Sequence, residues 1–342
     1  TRGPSPFCGA FLRRRLAPPF CAPATSLRFR MAAWIGISGY DYASWRGKFY
    51  PMKLAHRRWL DFAAHRFHSI ELNGTFYSLK SPSTYAAWRA AVDDVDDFMF
   101  AVKGSRFITH MKQLHDPEIA LANFYASGVL ALGERTGPFL WQLPERLAFD
   151  RPRLERFFAA LPRSSAQAAA LARTHDGRIA KARELVEAHV DVPYRHALEP
   201  RHPSFFTDEA RAFLREHEIA FVSADTAGRF PSSLAPTSST FAYVRLHGAE
   251  VLYASRYLDH ELASWADRIA AWSRAGLDVY AYFDNDAWGH APFDAMRLRA
   301  LVDAELVTPR RRRRHATSEE SRSARRTRRT SARGAHEPHP RP

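Results

Sequence analysis

The sequence predicts one α/β domain over residues 31–308, an eight-stranded parallel (β/α)8 barrel of the TIM type flanked by disordered basic termini. Three observations predict it. Short apolar runs alternate with longer segments of helical period, the pattern of repeated β/α units around a parallel sheet. Ionisable residues recur at the C-terminal ends of those runs, and a barrel brings all such ends to one mouth. The first run lacks a G-x-G-x-x-G turn, because Gly36 and Gly39 are followed by Tyr40, Asp41 and Tyr42. An open dinucleotide-binding sheet is therefore disfavoured, and no nicotinamide or flavin signature is present.

The strand-like runs, in order, are Trp34–Ser38, Ser69–Asn73, Phe98–Lys103, Phe139–Leu143, His196–Glu199, Ala220–Asp225, Phe241–His247 and Val279–Asp284. Helical segments are expected near 54–65, 83–92, 117–131, 151–161, 207–216, 259–275 and 290–304, with an Ala-rich helical insertion over 165–190. The connection from Gly228 to Thr240, with Pro231, Pro236 and several Ser, reads as loop.

Strand residues alternate between faces, which sorts the polar positions. Ile70 and Leu72 oppose Ser69, Glu71 and Asn73; Phe100 and Val102 oppose Met99, Ala101 and Lys103. His196 and Leu198 oppose Ala197, Glu199 and, just beyond, Arg201; Val222 and Ala224 oppose Phe221, Ser223 and Asp225; Val244 and Leu246 oppose Tyr243, Arg245 and His247. The first set is expected to face the helices and the second to line the barrel, with its charged member at the C-terminal end.

Charge sits at the ends of the chain. The formal net charge is +14, of which residues 1–30 contribute +6 and residues 309–342 contribute +9, leaving −1 for residues 31–308. The high pI thus says little about the folded domain, although a local basic patch is compatible with a balanced surface. The tail, with RRRRR at 310–314 and RSARRTRR at 322–329, is expected to be a solvated disordered segment, with nonspecific polyanion binding as its alternative. Residues 1–30 are rich in Pro, Arg and Ser, and Met31 lies just before the first run, so a translation start at Met31 is the expectation. Both cysteines, Cys8 and Cys21, fall in that segment, which excludes thiolate chemistry from residues 31–308. No stretch approaches the roughly 20 apolar residues of a membrane span, and a cytoplasmic location is the plain reading.

The expected mouth holds Ser38, Glu71 with Asn73, Lys103, Gln142, Glu199 with Arg201, Asp225, Arg245 with His247, and Asp284 with Asn285 and Asp286. Unpaired buried charges cost several kcal/mol each, so these groups must pair, bind ions or meet solvent. Glu71 is either a general base or a salt-bridge partner of Lys103. Glu199 and Arg201 flank Pro200 and form either a functional or an architectural pair. His247 and Arg245 suit an anion, the alternative being a histidine packed against a carboxylate. Glu71, Glu199, Asp225, His247 and Asp284 are candidate ligands for a divalent metal, though no H-E-x-x-H signature supports one. Arg106, Thr109, His110, Lys112 and His115 form a basic loop after the third run, and Tyr40, Tyr42, Trp45, Phe49, Tyr50, Phe76, Tyr77, Tyr257 and Trp288 supply loop aromatics for either stacking or packing.

The motifs IGISGYDYASWRGKFYP at 35–51, IELNGTFYSL at 70–79, FAVKGSRFITH at 100–110, LWQLP at 140–144, ALEPRHPSF at 197–205, YVRLHG at 243–248 and YAYFDNDAWGHAPFDA at 280–295 resemble those of the YecE-like family, also called domain of unknown function seventy-two. The resemblance covers nearly all of residues 34–304. It implies a β/α barrel similar in outline to the sugar-isomerase and endonuclease barrels, and brings with it a suggestion of nucleic-acid binding. Its motif residues here are Glu71, Asn73, Lys103, His110, Gln142, Glu199, Arg201, Arg245, His247 and Asn285. Two departures stand out: the family more often has Asn where this chain has Asp284, and a Trp near Phe205.

The leading expectation is a hydrolase or isomerase acting on a phosphorylated sugar or nucleic acid. Arg245, His247 and Lys103 hold the anion, Glu71 or Glu199 moves a proton, and a divalent ion is an optional Lewis acid. Ser38, Asn73, His110, Gln142, Arg201, Asp225, Arg245 and Asn285 are the expected substrate contacts. The alternative is a noncatalytic nucleic-acid or ligand-binding barrel.

Overall fold

The computed structural model describes residues 33–307. The expectations for residues 1–30 and for the tail from 309 onward lie outside the described residues.

Nine parallel strands form one sheet: β1 (Ala33–Ser38), β2 (Ser69–Leu72), β3 (Met99–Lys103), β4 (Thr136–Gln142), β5 (His196–Glu199), β6 (Ile219–Phe221), β7 (Ser223–Asp225), β8 (Phe241–Leu246) and β9 (Asp278–Phe283). Their order is β6-β5-β4-β3-β2-β1-β9-β8-β7. The two ends of that order, β6 and β7, are separated in the chain by Val222 alone, so the sheet is a nearly closed barrel. The count of nine rather than eight has a local cause. The sixth run pairs with β5 through its first half, His196 opposite Ile219, and with β8 through its second, Ser223 opposite Val244. At the switch the Val222 N–H donates to Leu198 O across 2.9 Å.

Two apolar layers follow from strand alternation. Inside the barrel, Trp34, Ala101, Leu140, Ala197, Phe241, Tyr243, Tyr280 and Tyr282 pack together, with Trp34 stacked on Tyr280 at 4.8 Å. Gly36 has the same inward parity on β1 as Trp34 and Ser38, and any Cβ there would strike the Ser69 carbonyl of β2. Outside, residues such as Ile35, Ile70, Phe100, Val102, Leu198 and Val244 meet the helices.

The sixth run has the opposite phase to that expected. Ala220, Val222 and Ala224 belong to the interior, whereas Phe221 packs outward against Phe206 at 5.1 Å. The small or mid-sized side chains of Ala220, Val222 and Ala224 share the interior with the large rings of Trp34, Phe241, Tyr243, Tyr280 and Tyr282, a close-packed layer in which small and large residues complement one another.

The helices are α1 (Trp59–Ala64), α2 (Gly74–Tyr77), α3 (Pro82–Ala90), α4 (Pro117–Ala126), α5 (Arg151–Ala160), α6 (Ser165–Ala172), α7 (Asp208–Glu216), α8 (Asp259–Arg274) and α9 (Ala291–Val307). Side-chain caps start several of them: Ser81 accepts from Thr84 N, Asp150 from Arg153 N and Thr207 from Ala210 N, satisfying N–H groups that lack a partner within the helix. Three helical expectations shorten, the 54–65 segment being α-helical only over Trp59–Ala64. The 117–131 segment ends as an α-helix at Ala126, before Gly128 at φ +130°. The Ala-rich insertion stays α-helical only to Ala172; beyond it Asp176 caps the turn by accepting from Arg178 N and Asn123 Nδ2. Gly228–Thr240 is loop, as its Pro and Ser content predicts. No helix of the described residues is long and apolar enough to cross a membrane.

Candidate functional site

The chemistry begins below the mouth. Arg245 points inward from β8 and is fully buried. Its Nε donates to Glu71 Oε2 at 3.2 Å and its Nη1 to Glu199 Oε2 at 2.7 Å. Its Nη2 lies within donating distance of Ser38 Oγ at 3.0 Å, Glu71 Oε1 at 2.9 Å and Asp284 Oδ2 at 2.8 Å. Strand register explains the convergence: Ser38 is opposite Glu71, Gln142 is opposite Glu199, and Arg245 is opposite Tyr282, two residues before Asp284. Ser38 also donates to Glu71 Oε1 and accepts from Asn73 Nδ2 at 2.8 Å, while the Tyr243 hydroxyl donates to Glu71 Oε2 at 2.6 Å.

His247, also buried, lies between two carboxylates, with Nδ1 3.0 Å from Asp284 Oδ2 and Nε2 3.4 Å from Glu199 Oε1. Burial and then Arg245 oppose its protonation, yet Asp284 and Glu199 outweigh them and raise its pKa. Burial would likewise raise the carboxyl groups, but Arg245 and His247 hold Glu199 and Asp284 well below the ordinary carboxylate range. Glu199 and Asp284 are thus held as carboxylates against the Arg245 guanidinium.

Above it opens a cavity of about 1010 Å³ at the C-terminal strand ends. Its cationic walls are Lys80, Lys103, Arg106, Arg146 and Arg201, against the carboxylates Asp41, Asp284 and Asp286. The Lys103 ammonium has no hydrogen-bond or ion-pair partner among the described residues and lies 4.6 Å over the Phe76 ring, while the Lys103 carbonyl accepts from the Thr75 hydroxyl. Burial, and next the Arg245 guanidinium, push it down to about 8. His110 lines the same cavity, with Nδ1 2.9 Å from Thr109 Oγ1. Burial and then Lys103, Arg201, Arg146 and Arg106 lower it to about 4, so it is neutral at pH 7. Arg201 pairs with Glu199 at 3.5 Å and donates to the Tyr253 hydroxyl at 3.0 Å.

Of the expected mouth residues, Asn73, Lys103, His110, Gln142, Arg201, Asp284 and Asp286 line this cavity; Ser38, Glu71, Glu199, Arg245 and His247 form the buried layer beneath it. Five expectations are corrected. Arg245 is not a substrate contact, because its N–H groups are engaged by Ser38 and three carboxylates. Asp225 lies on the helix side with the outward half of its run, beside Tyr257. Asn285 also faces the helix layer, donating to Ser255 O and Asp294 Oδ2, both at 2.9 Å. Glu71 does not bridge to Lys103; its cation is Arg245. The metal candidates do not converge either, since Asp225 points away and the Arg245 guanidinium occupies the place among Glu71, Glu199 and Asp284 that a cation would take. Among the described residues the side chains spaced to hold a metal are Asp61, His65 and Asp94, outside this cavity.

The loop aromatics divide. Trp45, Tyr50 and Tyr257 are packed, whereas Tyr40, Tyr42, Phe76 and Tyr77 line the cavity. Sequence reasoning missed Arg146, Lys80 and Tyr253. Arg146 was reachable, four residues beyond Gln142 in the loop after β4; Tyr253, at φ +63°, belongs to a loop whose path has no sequence period.

A parallel β/α barrel with an ionised core and an ion-lined mouth at its strand ends defines the broad class, since barrels of this kind carry their sites on that face. The comparisons then place the chain. Residues 34–318 match the family model described as "Protein of unknown function DUF72", and the chain belongs to that family. It is 22% identical over 296 residues to the UPF0759 protein YunF of Bacillus subtilis, an alignment covering 80% of this chain and 95% of the relative. A crystal structure of a DUF72 family protein from Thermotoga maritima superposes with a TM-score of 0.63 at 26% identity, covering 79% of this chain and 99% of that one. One from Enterococcus faecalis gives 0.61 at 14% identity, covering 79% and 95%, a likeness of fold.

Proposed function

We propose that this chain is an enzyme that binds a small phosphorylated substrate, with a phosphorylated sugar as the leading class, and moves a proton with Lys103. In this reading β6 and β7 act as one broken strand, and the barrel is of the eight-stranded TIM type. The observation that carries the proposal is Lys103, a cation on the wall of the mouth with no anionic partner within ion-pair distance among the described residues. The substrate's anion takes that place, between Lys103 and Arg201, with Arg106 and Arg146 adding charge. A bound dianion would stand beside the largely buried ammonium at the cavity wall, and an amine that titrates near neutrality is suited to general acid–base work. The buried carboxylates are not the proton carriers here. Glu71, Glu199 and Asp284 surround Arg245, Glu199 and Asp284 flank His247, and Asp284 brings that fixed field to the cavity wall.

The test is turnover of a panel of phosphorylated sugars and phosphoesters by the full chain and by Lys103→Met. The expected result is turnover of at least one compound, lost in the variant while its fold is retained. No turnover of any compound, or full activity in Lys103→Met, contradicts the proposal.

A further inference from the structure

The mouth does not end at the barrel rim. A second cavity of about 420 Å³ adjoins it, and the two share Tyr77, Arg106 and Met111 in their walls. The partition is the π-helical turn Phe107–Met111, a rare local geometry that recurs at functional sites. It presents His110 to the mouth and Phe107 and Ile108 to the second cavity. Among the described residues no carboxylate lines that cavity; its walls are mostly apolar, and two guanidiniums sit over its rings, Arg106 5.6 Å from Tyr77 and Arg178 5.5 Å from Phe107. On the shared rim Tyr77 is 65% and Met111 66% exposed, large apolar side chains left in water between two hollows.

We propose that the ligand is amphipathic: an anionic, phosphorylated head in the mouth joined to an uncharged aromatic or acyl part that crosses the Tyr77–Met111 rim into the second cavity. The inference deepens the reading of the mouth as an anion site and rests on it. A ring laid across the rim covers Tyr77 and Met111 and meets Phe107 and Leu79 beyond, while the Arg106 guanidinium serves both halves. A bare sugar phosphate leaves that surface wet.

Calorimetric binding of inorganic phosphate, 1-naphthyl phosphate and 1-naphthol to the full chain tests it. Naphthyl phosphate is expected to bind at least about tenfold more tightly than phosphate, equivalent to about 1.4 kcal/mol. Leu79→Ser and Phe107→Ala, which lie on the second cavity only, should each erase most of that gain and leave phosphate affinity unchanged. Equal affinity for phosphate and naphthyl phosphate, or a gain that survives both substitutions, overturns the second cavity's role and leaves the anion site standing. Binding of naphthol as tight as that of naphthyl phosphate, with no competition from phosphate, overturns the anion site and the amphipathic ligand together. Failure of all three compounds to bind overturns both.

Discussion

Arg245 Nη1 reaches Glu199 Oε2 across 2.7 Å with neither side chain more than 2% exposed. This contact joins β8 to β5 through the barrel interior, and Glu71 and Asp284 complete the ring around the same guanidinium. A buried ion network is weak evidence for net stabilisation, but breaking one is costly because partners are left charged and unpaired.

Arg245→Met should therefore strip three carboxylates of their cation and lower unfolding stability by about 3–5 kcal/mol. Urea unfolding of the variant against the parent measures it. A loss below about 1 kcal/mol would mean that the network relaxes freely.

Asn285→Ala should act on structure and not on ligand. Its amide ties the segment after β9 to Ser255 and Asp294, and losing those bonds should cost about 1–3 kcal/mol while phosphate affinity stays unchanged. A tenfold fall in phosphate affinity at constant stability would return Asn285 to the mouth.

Asp284→Asn should lower the pKa of His247. Burial and Arg245 push that imidazole down, and Asp284 is foremost among the groups that raise it. A histidine held above its unfolded pKa adds stability that is fully present below the unfolded value and lost as pH rises through the folded one. The parent should show this loss and the variant a smaller one at lower pH, with the His247 ring resonance reporting the shift in parallel. An unmoved resonance contradicts the pairing.

Lys103 has the opposite linkage. Its folded pKa is pushed down to about 8, while an unfolded lysine titrates near 10.4. Between those values the unfolded chain holds more protons, so stability rises with pH, by about 3 kcal/mol across the window. The difference in urea unfolding between parent and Lys103→Met at pH 7.5 and at pH 10 isolates this contribution. No change in that difference would place Lys103 in ordinary solvent.

Much of this was legible before any coordinates. Alternation on β2, β5 and β8 put Glu71, Glu199 and Arg245 on one interior face, because Ile70 and Leu72, Leu198, and Val244 and Leu246 mark the opposite, helix-facing side of each strand. On the sixth run the alternation of Ala220, Phe221, Val222, Ser223 and Ala224 offers no such contrast, and Asp225 was placed on the wrong side. Periodicity ends with the strand, so Asn285 and Tyr253, set by loop paths, were beyond its reach. What one strand's pattern also cannot reveal is saturation. Arg245 and Lys103 both read as cations at a mouth; only the cross-barrel distances separate the one whose donors are taken from the one left facing the cavity.

The most direct test of that distinction is an NMR titration of the full chain with lysine labelled at 13Cε, the Lys103 signal being assigned by its absence in Lys103→Met. The account predicts a Lys103 signal titrating near pH 8 that moves upward when sulfate is added. A Lys103 signal titrating near 10.4 and indifferent to sulfate would contradict the account.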